Sequence, residues 1–295
     1  MRETPREALA RIREARPAPI LFAMTLYAAA FATRALRLNL LLAPEDRIPF
    51  TRAFSLSGAA TFLLQVLPFR GGELASWAAY KSALGSGWAR SGAVFVLAKT
   101  VDTATLILVG LAGAAALALR LGAPVLGSLG AAATLAGGIA LLFLPRAGHV
   151  LLGALGARFA EGSRGRRVCE ELVAGLAVSR ERPRLYAAAA AAALIFLAAH
   201  LLTLHLVFEA LGAPASLAAL SLASLSSISA AAALPAPAGT FGPHESGFAA
   251  ALAIEGTPFA AGLIAAAASH LLTTITAGLV GVPFFLESRK RGRLR

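Results

Sequence analysis

The chain has 295 residues, of which 58% are hydrophobic and only 14% charged, with a mean hydropathy of +0.73. A soluble domain carries about 25% charged residues, so this composition excludes an ordinary soluble enzyme, a disordered protein and a nucleic-acid-binding domain. The 27 Lys and Arg exceed the 15 Asp and Glu, and they sit in short clusters between apolar stretches, as in loops held at an anionic cytoplasmic membrane face.

The first 17 residues are basic and too charged for a cleavable signal. A transmembrane helix needs about 20 apolar residues. The run 20–33 is apolar but short and continues into RALRLNLLL; 53–67 ends at Pro68. Long runs follow at 91–119 and 121–144, divided by Arg120 and a Gly122–Pro124 turn. A second pair, 185–211 and 216–234, flanks a Gly-Ala-Pro turn at 212–214, and 258–286 is the last span. Two weaker stretches, 73–84 and 245–254, each follow a Pro/Gly-rich break. The basic segment 146–184 reads as cytoplasmic with a surface-lying amphipathic helix, and the tail 289–295 reads as cytoplasmic too. The stretches 212–215 and 239–257 carry no Lys or Arg and read as the outer side.

These sides require an even number of crossings between the basic segment and the tail, yet three apolar runs lie there. A hairpin made of 216–234 and 245–254, entering from outside and returning, removes the conflict. In the first half 53–67 and 73–84 form a matching hairpin from the cytoplasm. The expected fold is an all-α polytopic membrane protein with about six or seven spans and two broken, re-entrant hairpins of opposite orientation. It forms one transmembrane domain over 18–288, with halves 18–145 and 185–288. Inverted repeats with interrupted helices are a transporter architecture, and LPFRGGE (67–73) is echoed by LPAPAGTFGPHE (234–245). The N-terminus does not fit: basic residues before and after the 20–33 run ask for the same side. Either that run does not span, or the N-terminus lies outside against the charge rule.

The strongest local signal is LPFRGGE. Pro68 breaks the helix, Gly71 and Gly72 permit tight backbone, and Arg70 and Glu73 sit at the break. Unwound backbone at membrane depth is tolerated only where protein or a wet cavity satisfies it. Arg is a good bidentate ligand for phosphate or carboxylate, and a helix N-terminus favours an anion. An anionic-headgroup site competes here with a structural Arg–Glu pair. Lys99 and Asp102 lie three apart on one helix face, within a span where ionisable groups are functional candidates. They either neutralise each other or line a pathway, with Arg70 as another partner for Asp102. In the second half Pro235, Pro237, Gly239, Gly242 and Pro243 break the helix before His244 and Glu245. Glu245 either caps the following helix or holds substrate or a proton, and His244 titrates near neutral pH.

These motifs resemble the lysylphosphatidylglycerol synthase transmembrane-region proteins, also described as flippase-like. The resemblance rests on RALRLNLLL (34–42, with Arg37), LPFRGGE, KTVD (99–102), and LPAPAGTFGPHE followed by Glu255-Gly256; it covers roughly residues 30–286. It implies a polytopic helical protein that moves a lipid or lipid-linked headgroup between leaflets. Three departures stand out: no aminoacyl-transferase domain follows residue 286, one apolar run precedes Arg34 where two are usual, and Lys99 stands where an Arg is usual. The last keeps charge but loses the guanidinium fork.

Other constellations carry less. His200, His205 and Glu209 lack metal-site spacing and have no HExxH or Cys partner. No metal or cofactor is expected. The Ser-rich run 221–229 reads as helix packing, Cys169 as an inert thiol without a disulfide partner, and no nucleotide-type phosphate loop is present. The expected function is ATP-independent movement of an anionic phospholipid or polyprenyl-phosphate-linked headgroup in the cell's cytoplasmic membrane, with the C-terminus cytoplasmic. The substrate-binding candidates are Arg37, Arg70, Gly71, Gly72, Glu73, Lys99, Asp102, His244 and Glu245. Membrane lipids are the expected partners, with no nucleic acid. A lipid-headgroup enzyme using His205, Glu209, His244 and Glu245 is the alternative, as is a scaffold for a lipid-modifying enzyme.

Overall fold

The computed structural model describes residues 16–68, 71–163, 165–170, 172–173, 182–234 and 240–292. Nine long α-helices run through them, and no strand occurs among the described residues. They are α1 (Pro17–Leu41), α2 (Phe50–Val66), α3 (Gly71–Leu84), α4 (Trp88–Arg120), α5 (Pro124–Gly156), α6 (Pro183–Ala210), α7 (Leu217–Ala233), α8 (Pro243–Ala253) and α9 (Phe259–Gly292). Proline starts α1, α5, α6 and α8, where its missing N–H goes unused and its fixed φ suits the first turn. The α4–α5 and α6–α7 turns both spell Leu-Gly-Ala-Pro. In each, the glycine takes a positive φ and the following Ala N–H bonds back to the helix, so the chain reverses at once.

The long apolar segments Pro17–Leu41, Trp88–Arg120, Pro183–Ala210 and Phe259–Lys290 can each cross a membrane by length and composition. Leu126, Leu129, Leu135, Val150 and Leu151 of α5 are exposed, as suits helices whose outer faces meet acyl chains. The helix α5 extends through the expected start of the basic segment at 146 and ends at Gly156.

The packing follows one rule. α1 lies on α6, α2 on α3 and α9, α7 on α8 and α4, α3 on α4, and α8 on α9. Exchanging α1 with α6, α2 with α7, α3 with α8 and α4 with α9 turns this set of packings into itself. Only the α4–α5 pairing has no counterpart. The two central helices run antiparallel: Thr203 reaches the Ala23 carbonyl, Tyr27 packs on Phe196, and Leu41 clusters with Tyr186 and Ala189. So the Pro17 end of α1 lies with residues 211–216, and its Leu41 end with the start of α6.

This bears on one of the two readings of the N-terminus. Arg34 and Arg37 are not loop charges but lie inside one continuous helix of 25 residues. At 1.5 Å per residue that helix is about 37 Å long, enough to span a hydrocarbon core of about 30 Å. The alternative in which the first segment falls short of a span is therefore set aside.

Candidate functional site

Two clusters of charged and titratable side chains lie among the helices. The first gathers on α1. Arg34 and Arg37, three residues apart, share a face of α1 and converge on Asp102 of α4. Arg34 Nη2 donates to Asp102 Oδ2 at 2.9 Å, and Arg37 Nη1 donates to Asp102 Oδ1. Arg34 Nη1 also donates to Thr61 Oγ1 of α2 at 2.5 Å, and its guanidinium lies 4.3 Å above the Phe196 ring of α6. Arg37 is 3% exposed and Asp102 26%. Two guanidiniums on one carboxylate leave the cluster with a surplus positive charge. The Nε atoms of both arginines are buried without a hydrogen-bond partner.

Lys99 and Asp102 therefore do not neutralise each other. Lys99 Nζ instead bonds Glu73 Oε1 in the first turn of α3, a half-exposed pair. The carboxylate sits where a helix N-terminus favours it. A Cβ on Gly72 would lie 2.4 Å from the Leu63 carbonyl oxygen, so glycine is what lets α3 close against α2. Arg70 lies outside the described residues.

The second cluster gathers on α8 and α9. Glu245 Oε2 accepts from Gly242 N–H at 2.5 Å, closing the start of α8, while Oε1 accepts from His270 Nδ1 of α9. Capping and site-building are thus done by different oxygens of one carboxylate. Glu245 and His270 are both buried. His244 places Nδ1 3.9 Å from the same Oε1, and its ring lies 4.4 Å from that of His270. Phe241 stacks on the other face of His270 at 4.2 Å, and Thr240 Oγ1 is 3.3 Å from His270 Nε2.

His200 of α6 stands between the clusters. Its ring runs nearly parallel to Phe196, lies 5.2 Å from Tyr27, and falls within electrostatic range of both Arg34 and His270. His205 and Glu209 pair with each other at 3.5 Å near the end of α6, and His205 Nδ1 approaches the Ala215 carbonyl. They do not join the grouping of His244, Glu245 and His270. The four residues of the enzyme alternative thus fall into two places. A depression of about 480 Å³ opens at the 211–216 end, bounded by residues 255–258, where Glu255 Oε2 accepts from Ser216 N–H.

Sequence reasoning passed over Arg34, Thr61, Phe196 and the bridging place of His200. The available signal was the spacing of Arg34 and Arg37, which puts two cations on one face of an apolar helix.

The family model for the lysylphosphatidylglycerol synthase TM region matches residues 3–281. The chain belongs to that family. No curated protein and no solved structure matches it. Membership in the lysylphosphatidylglycerol synthase TM family, together with the apolar helices, makes the protein a multi-pass membrane protein. Family membership also associates it with lipid biosynthesis or lipid flipping.

Proposed function

We propose that the protein moves an amphiphile with an anionic headgroup, a phospholipid or a polyprenyl-phosphate-linked species, between leaflets without ATP. The observation that carries this reading is the surplus positive charge where α1, α2, α4 and α6 meet. A buried charge is costly unless compensated, and a phosphate brought to Arg34 and Arg37 compensates it with charge-assisted bonds. Asp102 keeps the pair neutralised in part while no headgroup is bound. The two halves form an inverted repeat, supported by the exchange of helix packings and by the antiparallel α1 and α6. In this reading α2–α3 and α7–α8 are hairpins entering from opposite faces, the arrangement from which alternating access arises. The end carrying Lys81 and Arg90, with the basic residues after α5, faces the cytoplasm, as does the end of α9. The chain acts as a transporter and not as an enzyme, with membrane lipids as its partners.

The test is movement of fluorescent anionic and zwitterionic phospholipids in proteoliposomes, read with a reductant that cannot cross. Wild type is expected to move the anionic lipid faster, and Arg34→Gln to lose that preference while remaining folded. Equal movement of both lipids, or an unchanged preference in Arg34→Gln, contradicts the reading.

A further inference from the structure

His244, Glu245 and His270 form a set that headgroup transport does not use, and we propose that it binds a divalent transition cation of the Zn²⁺ class. One ligand atom from each lies within 4.8 Å of the others. Two imidazoles and one carboxylate form a donor set that Zn²⁺ takes in open sites, leaving the fourth position to an oxygen of water or ligand. The supports such a site needs are in place. Gly242 N–H holds Glu245 Oε2, which leaves Oε1 facing the imidazoles. Thr240 Oγ1 meets His270 Nε2, the ring nitrogen opposite the one turned to the carboxylate, as an outer partner that orients a ligating histidine. Phe241 fixes the plane of the His270 ring. His244 Nδ1 is buried, has no hydrogen-bond partner, and is aimed at Glu245 Oε1. A cation satisfies that nitrogen and takes the place of the proton between His270 Nδ1 and Glu245, which moves to His270 Nε2 and is donated to Thr240 Oγ1. The His244 side chain is 23% exposed, so the site is not sealed. Sequence spacing hid this set, because His270 lies 25 residues beyond Glu245 on another helix.

The experiment uses the full chain, purified in detergent without a histidine tag, with Zn²⁺ as the probe and Co²⁺ as the spectroscopic reporter. Wild type is expected to retain a single Zn²⁺ through desalting, to show the visible absorption of low-coordinate Co²⁺, and to gain thermal stability on adding Zn²⁺. An outer partner is worth 10–100-fold in affinity. Thr240→Ala is therefore expected to weaken binding about tenfold, and His244→Ala or His270→Gln by more than about 100-fold. His244→Ala loses ring packing but no hydrogen bond at Nδ1, so in metal-free buffer it should still unfold cooperatively, and its loss of Zn²⁺ then reports the ligand and not the fold. His205→Ala removes the separate surface pair and should leave retention unchanged. Wild type that holds no Zn²⁺ overturns the proposal. So does equal retention by His244→Ala and His270→Gln, or loss of the ion in His205→Ala.

Discussion

The two halves place different chemistry on matching positions. Glu73 is the third residue of α3, and Glu245 the third of α8. Their partners also correspond: Lys99 lies eleven residues into α4 and His270 eleven into α9. Arg34 and His200 each lie seventeen residues into α1 and α6. In the first half the carboxylate meets an ammonium that is 42% exposed; in the second it meets an imidazole that is 2% exposed. One architecture thus presents a half-exposed ion pair on one side and a buried carboxylate–imidazole pair on the other. The metal cation proposed above belongs to the second, and the proposed anion to the arginines beside the first. The burial difference also says which pair the fold depends on.

That contrast can be broken by mutation. The largest effect is expected at the buried pair: Glu245→Ala should destabilise the protein by about 2–5 kcal/mol, since it removes the cap of α8 and leaves Gly242 N–H and His270 Nδ1 without their partner. Thermal or denaturant unfolding in detergent checks this. Asp102→Ala strands buried Arg37, and it should cost about 3 kcal/mol, the lower end for a broken buried ion pair, because the carboxylate is partly exposed. The packing equivalence gives the next test. A Cβ on Gly58 would meet Val280 of α9 at 2.6 Å, and one on Gly113 would meet the Ala218 carbonyl of α7 at 2.6 Å. Gly58→Val and Gly113→Val should each cost about 1–3 kcal/mol by overpacking. A large cost at one and none at the other would weaken the correspondence of α2–α9 with α4–α7. Smallest of all, Glu73→Gln or Lys99→Gln should shift stability by less than about 1 kcal/mol, because the exposed pair is screened by solvent.

Much of this organisation was legible in the sequence. Apolar runs bounded by Pro and Gly located the all-helical elements, and both broken segments start helices close to Glu73 and Glu245. The partners were not legible. The spacing of Lys99 and Asp102 makes them neighbours on one helix, but packing against α1 and α3 assigns each a different partner across helices. Arg34 and Arg37 resembled loop charges because the apolar run before them is short; their burial against α4 and α6 is a tertiary property. The end of α5 was missed because Arg146 interrupts the apolar run inside the helix, and charge counting takes it for the start of a loop. Arg70, which the LPFRGGE motif offers for the headgroup, lies outside the described residues.

In the proposed transport, the surplus positive charge at Asp102 draws the anionic headgroup. Arg34→Gln removes that surplus, and Arg34→Gln/Asp102→Asn restores it through Arg37 alone. The decisive measurement is anionic-lipid movement by wild type, the single variant and the double variant in the same proteoliposomes. Movement is expected to be lost in the single variant and partly regained in the double. Equal activity in both variants, whether absent or at the wild-type rate, would contradict that role of the charge.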